Sequence, residues 1–207
     1  MRASNEALFY FIKDELFLVK LIRSVYIIRC KLILNGAMKI LIYPHKILST
    51  KSKPVKQIDG RLQRLIDNMI ETMYKAKGVG LAANQIGETI QLLVMDITPE
   101  GQNPIAIINP VITAVEGNEV SEEGCLSLPN YSAKIKRAKR IEVKGYDRYG
   151  KEIRLEGDGL LSRCLQHEID HLNGICFVDR LSPLKKTLFR KKWSKILANI
   201  ENNKNEK

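Results

Sequence analysis

Gln166-His167-Glu168-Ile169-Asp170-His171 lies inside a run from Gly159 to Gly174 that holds no internal Pro or Gly. Leu161, Leu165 and Leu172 recur at helical spacing, and Asn173-Gly174 supplies the stop. On a helix, residues four apart leave the same face one turn apart, so the imidazoles of His167 and His171 converge. Two neutral imidazoles so placed suit one divalent cation at about 2.0–2.1 Å. Glu168 sits one residue round, too close for a comfortable third ligand and well placed to handle a proton on bound water. The plainer reading is a helix with surface or satisfied core histidines, because this pattern also arises by chance. Two features favour the metal. The chain has only three His, two of them here. Leu165, Ile169 and Leu172 imply a buried helix, where unpaired imidazoles are costly.

Two His and a Glu do not complete a site. The four cysteines are Cys30, Cys125, Cys164 and Cys176. Cys164 shares the helix, but seven residues separate it from His171, a rise of about 10 Å. It reads instead as a small buried residue lining the pocket. Cys176, between Ile175 and Phe177, suits a packed strand. Cys125 lies in Ser121-Glu-Glu-Gly-Cys-Leu-Ser-Leu-Pro129, where a preceding glycine lets backbone approach a ligand closely. A thiolate from that separate segment caps an ion opposite the helix, so Cys125 is the expected third ligand.

Glu123-Gly-Cys-Leu-Ser127, His167-Glu-Ile-Asp-His171 and Gly78-Val-Gly-Leu-Ala-Ala-Asn-Gln85 together resemble the three signature motifs of the peptide deformylases, in that family's order. The likeness runs from about Met38 into the C-terminal helix, roughly four-fifths of the chain. It implies an enzyme that removes the formyl group from the N-terminal formyl-methionine of nascent polypeptides and releases formate. Cys125, His167 and His171 then hold one divalent ion, Fe²⁺ by family habit, with Zn²⁺ or Ni²⁺ as alternatives; spacing alone does not choose. Metal-bound hydroxide attacks the formyl carbon while Glu168 serves as general base and then acid. The Gln85 amide and the Leu126 backbone N–H hold the oxyanion. Val79, Gly80, Leu160 and Cys164 take the substrate, and Arg163 stands where some relatives carry an aliphatic residue. The resemblance further implies a bacterial-type cytoplasmic monomer rather than an organellar one, working near the ribosomal exit.

Length and composition agree with this. The 207 residues suit one ample domain plus an appendage, and 44% hydrophobic residues suffice for a core. Unevenly spaced cysteines argue against a disulfide framework and for a reducing compartment. The net charge is +11, of which residues 1–37, with six bases and three acids, carry +3. That segment spaces apolar residues helically, yet charges interrupt every apolar run, so it offers neither a membrane span nor a secretory signal. We expect it to derive from an upstream start, with Met38 opening the functional protein; an amphipathic surface helix is the alternative.

From Met38, residues 39–43 read as a short strand, and His45 as a loop residue. Leu62, Leu65, Ile66, Met69, Ile70 and Met73 mark a core-facing helix ended by Gly78. Gly78 to Gly87 lacks the Gly-Lys-Ser/Thr of a phosphate loop. Segments 91–96, 106–113, 140–146 and 151–155 read as strands of a largely antiparallel sheet. The fold class expected is α+β: antiparallel sheets around a central helix carrying the metal motif, plus a C-terminal helix. Residues 38–181 form the catalytic domain and 182–207 a basic helix with a polar tail. In that tail Ser182-Pro183 opens a helix, Leu184, Leu188, Trp193, Ile196, Leu197 and Ile200 give an apolar stripe, and Lys185, Lys186, Arg190, Lys191, Lys192 and Lys195 stand without acids. This is a solvated face, or a footprint for ribosomal RNA. Two other functions compete. A zinc endopeptidase would need a downstream His or Glu ligand, and no His follows His171. A non-catalytic RNA-binding module would close the metal site with Cys176.

Overall fold

Apolar residues at consecutive positions, Leu92-Leu93-Val94-Met95, form a strand buried on both faces, and the architecture follows from that. The computed structural model describes residues 37–98 and 100–205; the expectations placed on residues 1–36 lie outside the described residues. Alternate side chains of a strand point to opposite faces. Leu92 and Val94 pack on one side with Leu62, Ile66, Met69 and Met73 of helix α1, Gly60–Lys75. Leu93 and Met95 pack on the other with Cys164, Leu165, Ile169 and Leu172 of helix α2, Gly159–Leu172. The strand is thus the filling between two helices.

Five strands form the main sheet, in the order β1-β2-β3-β6-β7 and antiparallel throughout. They are β1 Gly80–Ala82, β2 Leu92–Met95, β3 Ile105–Glu116, β6 Arg140–Tyr146 and β7 Glu152–Asp158. A separate hairpin pairs β4 Glu119–Gly124 with β5 Ser132–Arg137. The fold is α+β, as the sequence indicates. Four of these strands cover the expected segments. Polar β4 and β5, whose alternation is charged rather than apolar, carry no such signal, and β1 has only three residues.

Four local expectations need correction. Residues 39–43 join no ladder as a strand, because their amides reach two different segments: Leu41 donates to the Gln85 carbonyl at 2.7 Å and Tyr43 to that of Ser127 at 2.9 Å. Helix α1, capped by the Asp59 carboxylate on the Leu62 amide at 2.9 Å, ends at Lys75. The left-handed residue after it is Lys77, φ 57°, not Gly78. Cys176 lies outside any strand; it immediately precedes a 3-10 turn, Phe177–Arg180. Finally, Leu184 and Leu188 of helix α3, Pro183–Asn205, point to solvent, 73% and 59% exposed. The helix is anchored instead by Phe189 and Trp193, both 4% exposed. No helix among the described residues is long and apolar enough to cross a membrane.

Phe189 and Trp193 complete a third cluster with Leu48, Leu128, Phe177 and Leu181. The Trp193 indole N–H donates to the Tyr43 carbonyl at 3.2 Å, tying the last helix to the start of the described chain. Trp193→Ala should therefore cost about 3–5 kcal/mol, the usual price of emptying a buried aromatic site. Urea unfolding of the variant beside the parent measures it; a loss under 1 kcal/mol would show that α3 is not part of the core.

Candidate active site

Four segments distant in sequence meet beside α2. His167 and His171 leave that helix one turn apart, their ring centroids separated by 4.9 Å. Cys125 follows the last residue of β4, and its carbonyl closes a turn with the Leu128 amide at 2.9 Å. One donor atom from each of Cys125, His167 and His171 lies within 4.8 Å of the others, and Cys125 Sγ is 3.1 Å from His171 Nε2. A thiol and two imidazoles form a donor set suited to a divalent cation, one ligand short of a closed tetrahedron. Cys176 does not close it. Its sulfur lies 4.0 Å from Nδ1 of His171, on the far side of the ring, and its thiol is pushed up to about 12 by burial and by Cys125 and nearby aspartates.

Gln85 arrives from the 3-10 turn Ala83–Ile86 and is 1% exposed. Its carbonyl accepts from the Ala82 amide at 2.8 Å, which leaves the amide nitrogen to donate to Ser127 Oγ at 3.2 Å and towards Cys125 Sγ at 3.5 Å. Beneath the donors runs an ionic lattice. Glu123 Oε2 is 3.1 Å from His167 Nδ1, and Arg137 grips Glu123 with two nitrogens at 2.8 and 3.0 Å. Arg137 also bonds Asp170, whose carboxylate Arg180 holds from outside. Burial pushes the Glu123 carboxyl up, but His167 and Arg137 outweigh it and hold it at about 2. A carboxylate on the distal nitrogen fixes the tautomer of a ligating His.

Glu168 is in the opposite condition. It is 4% exposed, burial raises its carboxyl to about 7, and its Oε2 has no hydrogen-bond partner among the described residues. A Cβ on Gly80 would stand 2.5 Å from Glu168 Oε1 and 2.8 Å from Cys164 Sγ, so only glycine lets β1 pass here. An open cavity of about 590 Å³ extends from these groups, lined by Val79, Gly80, Leu126, Leu160 and Cys164 among others. Val79 and Leu160 remain 46% and 49% exposed, apolar surface left uncovered at the rim. Arg163 also lines the cavity and pairs with Glu119 at 3.4 Å. His45 is apart from all this: it caps a 3-10 turn on the surface.

Every expected site residue therefore stands in or beside one cavity. Sequence reasoning gave no role to Glu123, Asp170, Arg137, Arg180 or Phe177. The first two lay inside the quoted motifs, and their placement beside the ligands was the available signal. Arg137 and Arg180 offered none, because only the tertiary fold brings β5 and the Phe177–Arg180 turn under the donors.

A buried carboxyl poised near neutrality, beside a three-donor cluster at the head of an apolar cleft, defines a metal-dependent hydrolase. The sequence pattern of the polypeptide deformylase family matches residues 37–187, and the chain belongs to that family. The peptide deformylase of Thermodesulfovibrio yellowstonii is 56% identical over 153 residues, covering 73% of this chain and 93% of that protein. That of Syntrophobacter fumaroxidans is 47% identical over 162 residues, 77% and 95% of the two chains. The crystal structure of a peptide deformylase from Legionella pneumophila superposes with a TM-score of 0.77 at 46% identity, covering 80% of this chain and 98% of that one.

The lattice generates a prediction. Arg137 is 3% exposed, and removing it takes from buried Glu123 its arginine partner and leaves Asp170 to Arg180 alone. Arg137→Met should destabilise the fold by about 3–5 kcal/mol. Denaturant titration of the purified variant tests this, and an unchanged midpoint would show the lattice to be dispensable.

Proposed function

We propose that residues 38–181 hydrolyse the formyl group from the N-terminal formyl-methionine of nascent chains, giving formate and a free amine. The observation that carries this is the Cys125, His167 and His171 cluster with Glu168 beside it at the head of the cavity. Cys125, His167 and His171 would hold one divalent ion, Fe²⁺ in our reading, which would supply Lewis acidity and lower the pKa of water towards about 7. Glu168 takes a proton from the attacking water and delivers it to the leaving methionine nitrogen. A carboxyl raised to about 7 suits both transfers at neutral pH. The Gln85 amide and the Leu126 backbone N–H donate to the oxyanion that develops on the formyl oxygen, each such donor typically being worth about 2.7–4 kcal/mol. Val79, Leu160 and Cys164 hold the methionine side chain, and the glycine at position 80 lets the substrate backbone lie close.

The basic face of α3 docks the protein to ribosomal RNA near the exit of the nascent chain, and the enzyme works as a cytoplasmic monomer. Lys185, Arg190, Lys191 and Lys195 are exposed and Lys186 half-buried while Phe189 and Trp193 anchor the helix, so its charges are free to face phosphates. Reversal of Lys185, Lys191 and Lys195 to Glu should abolish salt-sensitive cosedimentation with ribosomes while leaving the core intact. Unchanged cosedimentation would remove the docking assignment.

The direct test is anaerobic. The full chain loaded with Fe²⁺ should release formate from formyl-Met-Ala-Ser. Glu168→Ala should lose roughly 10²–10⁴-fold in kcat, the range usual for a positioned proton carrier, while still retaining one metal per chain. Absence of formate from a metal-loaded parent would sink the reading.

A further inference from the structure

The wall of the cavity facing α2 is built partly by the C-terminal helix, through Lys192. Its ammonium sits over the Tyr131 ring, 5.5 Å from the centroid. Tyr131 is itself held by stacking on Phe177 at 6.1 Å and by Phe189 at 4.8 Å, so the cation rests on a fixed platform. Among the described residues no carboxylate lies within 4.0 Å of the Lys192 ammonium.

The other charges around the cavity are mostly engaged. Glu123 is held by Arg137, and Arg163 pairs with Glu119. Glu122, on the rim, accepts from the Ser132 hydroxyl at 2.5 Å. Lys77, on the same lining, adds a second cation without an ion-pair partner among the described residues. Two unpaired ammonium groups thus stand against one hydrogen-bonded carboxylate at the solvent side.

We infer that Lys192 is a specificity-determining residue, favouring substrates with an acidic side chain downstream of the formyl-methionine. This rests on the deformylase reading: with the formyl group at the metal donors and the methionine in the apolar cleft, the following residues run out past the mouth. There an acidic side chain meets the ammonium and a basic one is repelled. A charge pair about 6 Å apart in water changes binding about threefold, so Asp and Lys at the responsive position should differ by about tenfold. The effect belongs to KM, since the charge lies away from the reacting atoms. Salt weakens it, because the Debye length is about 8 Å at physiological ionic strength.

The test uses C-terminally amidated formyl-Met-Ala-Xaa-Ala peptides with Xaa as Asp, Ser or Lys. Amidation removes the terminal carboxylate, which would otherwise supply the same attraction. Companion sets move the charge to the second and fourth positions. Expected is an Asp-over-Lys preference in kcat/KM at one position, carried by KM and reduced in 0.5 M salt. Lys192→Gln should flatten it and Lys192→Glu should invert it. A preference unchanged in Lys192→Glu, or none in the parent, overturns the inference while formate from the Ser peptide leaves the deformylase reading standing. No formate even from the Ser peptide would overturn both.

Discussion

The grip of Arg137 on Glu123 and Asp170 is the constraint on which the site depends. Two arginines and two carboxylates alternate beneath the donors, Arg180 closing the row from the solvent side, so each buried carboxylate meets a guanidinium. Each charge has several donors or acceptors met, which is the condition under which a buried ionic group is tolerable. Only then can Glu123 spare an oxygen for His167. The same lattice also staples the architecture: Glu123 is on β4, Arg137 on β5, Asp170 on α2, and Arg180 in the turn before α3. A cluster assembled from distant segments needs such a tie, because the ligands come from elements with no ladder in common. Chemical poise and tertiary order are therefore one arrangement.

Two buried carboxyls of the site sit in opposite electrostatic conditions. Glu123 is saturated with donors and stays ionised; Glu168, one residue from His167, has an oxygen with no hydrogen-bond partner among the described residues and is raised to about 7. Both are buried, so burial alone does not set the outcome. The deciding factor is the number of donors aimed at each. Gly80 preserves that difference by bringing β1 against Glu168 without a side chain that would displace it.

Legibility from sequence followed the range of the interaction. The helix with His167 and His171 was readable because its period and its stop are local, and the thiol that stands beside them because few cysteines competed. Strand β2 was readable as an apolar run and β6 as an alternation of charged and β-branched residues; β2 is apolar on both faces because α1 and α2 sandwich it. The hairpin β4–β5 was not, since its residues are charged outward and its stabilising pairs are cross-strand. The left-handed position after α1 was misplaced because propensity favours glycine there, yet Lys77 takes it while Gly78 is reserved for close contact with Leu126. Arg137 and Arg180 were invisible for a plainer reason: an arginine that grips buried carboxylates looks in sequence like any surface one until those carboxylates are known.

The C-terminal helix shows why a stripe on a helical wheel is insufficient. Its sequence offers Leu184 and Leu188 as readily as Phe189 and Trp193, but only the aromatic pair is buried. Their aromatic rings reach Tyr43 and Tyr131, whereas the two leucines on the first turns stay in solvent. That choice rotates the helix and places Lys192 over Tyr131, at the cavity, with most other bases outward. One helix thereby supplies core, cavity wall and an exposed basic face. Tyr131, between Phe189 and the Lys192 ammonium, is the contact that joins the packed side of the helix to the cavity.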